Sequence, residues 1–206
     1  MDSLHALRQR LRDSRRNLSP AEQQQAAAAV AQRLTDWPRF VAANRIAGYW
    51  ACNGELDPMP LLARAWATGQ QTYLPMLTGN PPQSLQFALY QPDTPLRRNR
   101  FHIPEPDISP AEWLEPPALD LVLLPLVAFD CYGNRLGMGG GFYDRSFAFL
   151  HDPAYCGHRP YLLGLGYELQ KIAALPRQPW DIPLDAAVTE TALYPFSGSD
   201  AAKNNK

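Results

Sequence analysis

The run Leu119-Asp120-Leu121-Val122-Leu123-Leu124-Pro125-Leu126 is the most apolar stretch of the chain. A short segment that is apolar on both faces suits a strand buried between two layers, the situation of a central strand in a parallel sheet. Tyr161 to Tyr167 (YLLGLGY) reads as a second buried strand, and Ile46 to Trp50, Thr72 to Pro75, Leu85 to Tyr90 and Ala186 to Thr189 as shorter ones. Residues 58 to 68 carry a helical pattern that Gly69 can stop, which makes a β-α-β unit and implies parallel pairing. The predicted class is α/β: a mainly parallel sheet with helices on both faces, three-layered and Rossmann-like.

An N-terminal helical pair precedes the sheet. Leu4, Leu7 and Leu11 recur at helical spacing over residues 3 to 16, with Arg8, Arg12, Arg15 and Arg16 forming a basic face. Ser19-Pro20-Ala21-Glu22 has the residues of a capping box, so a second helix starts near Pro20 and runs to about Leu34. Residues 92 to 117, rich in Pro and charge, read as an irregular excursion, and Phe142 to Leu150 as a helix. The tail from Ser197 to Lys206 lacks large apolar residues and is expected to be disordered, leaving one domain over residues 1–196.

With 206 residues the chain can bury a core without metal or disulfide staples. A net charge of -1 argues against nucleic acid and anionic membranes as partners. No apolar run reaches the roughly 18 residues of a membrane span, and the N-terminus lacks the apolar region of a signal peptide. Three spaced cysteines, Cys52, Cys131 and Cys156, fit free thiols in a reducing cytoplasm. No Cys or His spacing points to zinc.

The segment Asn134-Arg135-Leu136-Gly137-Met138-Gly139-Gly140-Gly141-Phe142-Tyr143-Asp144-Arg145 carries the chemistry. It follows the most buried strand, where open α/β sheets place ligands. Its glycines permit positive φ and close approach, so successive N–H groups can face one anion. The following helix adds its N-terminal partial charge, and Arg135 and Arg145 flank the donors with cations suited to phosphate. A carboxylate at Asp144 beside a phosphate makes sense with Mg²⁺ between them. The Walker and dinucleotide patterns are both absent, and a purely structural strand-to-helix turn stays open as the plain alternative. So does a sugar-phosphate isomerase or acyl-CoA-type transferase, which would need a placed Glu or Asp base and no ATP. A nucleic-acid binder using the first helix lacks a continuous basic, aromatic-interleaved surface.

Phe129-Asp130 through Asn134-Arg135-Leu136-Gly137 to Gly141-Phe142-Tyr143-Asp144 resembles the signature of the 5-formyltetrahydrofolate cyclo-ligase (5,10-methenyltetrahydrofolate synthetase) family. Gly54-Glu55-Leu56-Asp57, Thr72-Tyr73-Leu74-Pro75, Trp180-Asp181-Ile182-Pro183-Leu184-Asp185 and the basic first helix with its Leu-Ser-Pro break extend the resemblance over nearly the whole chain. The resemblance implies a cytoplasmic enzyme that closes 5-formyltetrahydrofolate, with or without a polyglutamyl tail, to 5,10-methenyltetrahydrofolate with ATP as co-substrate and Mg²⁺ as cofactor; a monomer is expected. It implies that Arg8, Arg12, Arg135, Gly137, Met138, Gly139, Gly140, Gly141, Phe142 and Tyr143 bind ATP. Trp50, Glu55, Met138, Phe142 and Tyr143 would bind the folate, Arg135 and Tyr143 would be catalytic, and Asp144 and Asp181 would hold Mg²⁺. Leu4 stands where the family often has Lys. Read as residues alone, Arg8 and Arg12 also suit a solvated basic face, Trp50 a core strand position, and Glu55 and Asp181 turns.

Overall fold

The computed structural model describes residues 3–80 and 83–196. The expected disordered tail, 197–206, lies outside the described residues, as do Pro81 and Pro82.

The helices are α1 (Leu4–Arg16), α2 (Pro20–Leu34), α3 (Pro38–Ala42), α4 (Met59–Ala67) and α5 (Phe142–Ser146). The strands are β1 (Arg45–Ala47), β2 (Gln71–Thr78), β3 (Ser84–Leu89), β4 (Leu96–Arg98), β5 (Pro104–Pro106), β6 (Leu121–Pro125), β7 (Ala128–Phe129), β8 (Arg135–Leu136), β9 (Tyr161–Leu165), β10 (Ala186–Val188) and β11 (Leu193–Pro195). Seven of them form one sheet in the order β11-β10-β9-β6-β1-β2-β3. The inner pairs β10/β9, β9/β6, β6/β1 and β1/β2 are parallel, and the edge strands β11 and β3 are antiparallel.

β6 lies in the middle of this sheet, and its side chains divide by alternation. Leu121 and Leu123 join the core with Val30, Leu34, Leu62 and Ala65 of α2 and α4. Val122 and Leu124 face the opposite core, with Phe87, Phe147 and Leu184. Both cores bury large apolar side chains, each stabilising by about 1.5–3 kcal/mol. Helical cover is unequal: α2, α3 and α4 share the first face, whereas the second carries α5, a 3-10 turn at Ala148–His151 and loops.

The two N-terminal helices go to different places. The Ala-rich stripe of α2 packs on the sheet, and its capping box forms as Glu22 and Ser19 bond reciprocally. Leu11 of α1 packs instead with Val127, Ala128 and Leu136 of the β7–β8 hairpin, beyond the carboxyl ends of the strands.

Several boundaries differ from expectation. β1 stops at Ala47, so Trp50 lies after the strand. The helix expected over Phe142 to Leu150 is interrupted after Ser146. The short hairpin β4–β5 lies in the segment read as irregular, and α3 and β11 were not expected at all.

From β1 the chain moves to β2 on one side and later returns to place β6 on the other. That reversal makes the carboxyl ends of β1 and β6 a topological switch point, where open α/β sheets leave a crevice.

Candidate functional site

A cleft of about 410 Å³ opens at this crevice, within the size range of small-molecule sites. Arg8, Trp50, Glu55, Arg135, Gly137 to Asp144, and Asp181 all line it. Arg12 does not. It lies on α1 one turn beyond Arg8, and its Nε is buried with no hydrogen-bond partner among the described residues.

The loop is built by pinning its carbonyls. Arg8 Nε donates to Gly137 O at 3.0 Å, and Arg145 Nη2 donates to Gly140 O at 2.7 Å. A trans peptide points its N–H opposite its C=O, so these bonds turn the amides of Met138 and Gly141 away from the two guanidinium groups. Among the described residues, no acceptor takes the N–H of Met138, Gly139, Gly140 or Gly141. At Gly139 φ is +99°, and a methyl group placed there would meet nothing within 4 Å. Gly141 is left-handed at φ +64° and forms the N-cap of α5. The loop is therefore open, with bare donors, rather than plugged by side chains.

Two parts of the electrostatic expectation change. α5 has only five residues, so its dipole contributes little and the loop amides carry the anion chemistry. Arg145 is spent on backbone, bonding the carbonyls of Gly140 and Gln83, and is not part of the cleft wall. Arg135, on β8, remains as a buried cation with 6% of its side chain exposed and its Nε unpartnered among the described residues.

Asp144 accepts from Arg135 Nη2 at 2.6 Å and from the Ile182 N–H at 3.1 Å, both on Oδ1. This pairing gives the carboxylate a reason to stand by the loop that needs no metal. Its Oδ2 accepts nothing among the described residues. Asp181 accepts from the Gln178 N–H at 2.8 Å, as a turn carboxylate does, and also faces the cleft. Among the described residues no cluster of three acidic, His or Cys side chains is built to cage a metal. Isolated carboxylates suit Mg²⁺, which takes most of its ligands from phosphates and water.

Glu55 lines the same cleft, sharing Arg15 Nη2 with Met138 of the loop. It follows Asn53 and Gly54, both in the left-handed region, and a side chain at Gly54 would crowd the α1 backbone at Arg15. Its Oε2 accepts from the Cys52 N–H at 3.1 Å. Oε1 meets Arg15 Nη2 at 3.4 Å, and only 7% of the side chain is exposed. Burial raises the Glu55 carboxyl above its ordinary range, against the opposing pull of Arg15. Burial and the Glu55 charge push the Cys52 thiol up to about 11, so it stays protonated and inert.

Tyr143 stacks on Phe147 at 6.4 Å, and burial holds its hydroxyl well above the usual value. It can donate a hydrogen bond near neutral pH but cannot serve as a base. Trp50, beyond the end of the strand where it was expected, packs on the core edge-on to Tyr90 at 6.4 Å and also lines the cleft. Leu4 adds an apolar contact to the wall.

Sequence reasoning missed Arg15, one basic residue among five on α1. It also missed Phe101 and Ile103 of the β4–β5 hairpin, where no local pattern marks a cleft wall.

Residues 1–190 match the model of the 5-formyltetrahydrofolate cyclo-ligase family. The 5-formyltetrahydrofolate cyclo-ligase of Escherichia coli (strain K12) is 39% identical over 184 residues, 89% of this chain and 98% of that protein. The enzyme of the same name from Haemophilus influenzae is 37% identical over 86% of this chain and 92% of that protein. The solved structure of Aquifex aeolicus 5,10-methenyltetrahydrofolate synthetase is similar at a TM-score of 0.79 and 29% identity, over 98% of this chain and 97% of that one.

Proposed function

The chain belongs to the 5-formyltetrahydrofolate cyclo-ligase family, and from that premise we propose that it closes 5-formyltetrahydrofolate to 5,10-methenyltetrahydrofolate with ATP and Mg²⁺, releasing ADP and phosphate. The observation that carries this reading is the row of loop amides left unclaimed among the described residues, lining one cleft with a buried carboxylate.

A formamide oxygen is a poor leaving group. Transfer of the terminal phosphoryl group of ATP to that oxygen breaks the phosphoanhydride bond, releases ADP and leaves an activated iminium phosphate. N10 of the same folate then attacks the formyl carbon, the C–O bond breaks, and phosphate departs with the oxygen. The N10 proton is lost to phosphate or water. Arg135 and the amides of Met138 to Gly141 hold the oxygens whose charge changes, and the cleft keeps N10 near the formyl carbon. The buried Nε of Arg135, which has no hydrogen-bond partner among the described residues and lies in the cleft wall, fits an anionic oxygen. Glu55 would accept two N–H groups of the pterin ring, with Trp50 and Tyr143 as its aromatic wall. Asp144 Oδ2, with Asp181 as a second contact, would hold Mg²⁺, which supplies charge neutralisation between phosphate oxygens. A monomer in the cytoplasm completes the reading; among the described residues no helix is long and apolar enough to cross a membrane.

The direct test is the absorbance of methenyltetrahydrofolate after mixing the chain with 5-formyltetrahydrofolate. Product is expected with Mg·ATP and none without nucleotide; no product under either condition overturns the proposal. A finer test is Asp144→Asn, which keeps an acceptor for Arg135 but removes the charge. The Mg²⁺ concentration for half-maximal turnover is expected to rise about 10–100-fold, and an unmoved Mg²⁺ titration removes Asp144 from the metal site.

A further inference from the structure

Of the five arginines on α1, Arg15 alone is fully buried. A buried guanidinium loses several kcal/mol of hydration unless its N–H groups are matched, so its partners report what it is for. Nε donates to Asn53 O at 3.0 Å and Nη1 to Leu126 O at 3.1 Å. Nη2 lies 3.4 Å from Glu55 Oε1 and 3.9 Å from Met138 Sδ. One side chain thus ties together the turn after β1, the end of β6 and the glycine loop. Arg15 is not part of the cleft wall, whereas Glu55 is.

We propose that Arg15 is a positioning residue for the folate-binding carboxylate, holding Glu55 from behind as the counter-charge that aims it into the cleft. This inference rests on the folate reading of the cleft. With Arg15 on Oε1, and the N–H and, at 3.5 Å, the thiol of Cys52 on Oε2, a lone pair of Oε1 is left for a ligand, and the thiol is a weak donor that a ring N–H can displace from Oε2.

The charge environment of Glu55 is correspondingly sparse. Cys52, on the same turn, is a neutral thiol. Tyr49 beyond β1, Tyr143 on α5 and Tyr167 beyond β9 have hydroxyls held above their ordinary values, that of Tyr167 at about 12. All are neutral near pH 7. Arg15 is the cation that opposes the burial of Glu55. When protonated, Glu55 presents an O–H to the arriving ring N–H groups, so folate affinity falls as pH drops through the raised carboxyl value. Loss of the Arg15 charge raises that value further, and the fall begins at a higher pH.

The experiment is calorimetric binding of 5-formyltetrahydrofolate, without nucleotide, from roughly pH 5 to 9, in the wild type, Arg15→Gln, Arg15→Lys and Glu55→Gln. Arg15→Gln is expected to bind roughly tenfold more weakly at pH 7 and to recover toward wild type as pH rises, with Mg·ATP binding retained. Arg15→Lys shows a smaller displacement in the same direction. Glu55→Gln is weak and lacks the acid fall. A merely structural role would weaken binding equally at every pH. That outcome, or a profile superimposable on the wild type, overturns the assignment. If Arg15→Gln is too unstable to titrate, Arg15→Lys decides by the same two outcomes. A wild-type chain that does not bind 5-formyltetrahydrofolate overturns the parent reading instead.

Discussion

Replacing Arg135 by Ala is expected to lower kcat/KM by about 10²–10³-fold, or about 2.7–4 kcal/mol of transition-state stabilisation. Arg135 is placed on the rigid β8 rather than in the loop. The 2.6 Å bond to Asp144 and burial to 6% exposure lock its side chain, so the guanidinium does not reorganise as charge develops. The unpartnered Nε leaves donor capacity for an anion. Because such donors act chiefly on the reacting group, the loss should appear mainly in kcat. Arg135→Lys keeps the charge but not the planar fork and should recover only part of it. Asp144 keeps 20% exposure and its bond to the Ile182 amide, so the variant should remain folded, which circular dichroism checks. A folded Arg135→Ala with unchanged kcat/KM would falsify the catalytic role.

Asp130→Ala is expected to cost about 3–5 kcal/mol of stability. Asp130 is wholly buried at the turn of the β7–β8 hairpin. Its Oδ1 accepts the amides of Tyr132 and Asn134 at 2.9 and 3.0 Å. Oδ2 accepts Asn134 Nδ2 at 2.9 Å and the Leu175 amide at 2.8 Å. Alanine strands three backbone donors at once, each costing about 1–3 kcal/mol where water cannot reach. Asp130→Asn retains one acceptor oxygen and should fall between. Urea unfolding measures both, as a lower midpoint at an unchanged slope. Since β8 carries Arg135, activity should fall even where the variant is folded. A loss under about 1 kcal/mol would mean that water satisfies the freed amides.

Much of the frame was legible because its causes are local. Apolarity on both sides of Leu121 to Leu124 admits only a strand covered on both faces, and β6 is the middle strand. Ser19 and Glu22 lie three residues apart, within one helical turn, so their capping box needs no distant partner. Gly69 ends α4 at φ +78° for a reason contained in one residue. The elements that were not foreseen, such as α3, β11 and the β4–β5 hairpin, are three to five residues long. Segments that short carry too little periodicity to read.

Many residues of the cleft were legible in the sequence, but the allocation of charge among them was not. Arg8, Arg15 and Arg145 look alike as residues, yet one pins the loop carbonyl from α1, one is buried behind Glu55, and one braces the loop at Gly140. Asp144 reads in sequence as a metal carboxylate, and in the structure it pairs with Arg135.

Amino-acid order alone determined the longer strands and helices and the Ser19 cap, because neighbours a few residues apart settle each of these. Tertiary structure decided which charges lose their water. Arg15 meets Asn53, Leu126 and Met138, which lie 38, 111 and 123 residues away in sequence. A guanidinium is a surface charge or an internal clamp according to whether such distant partners replace its hydration, and only the packing of α1 against the sheet's carboxyl edge brings them there.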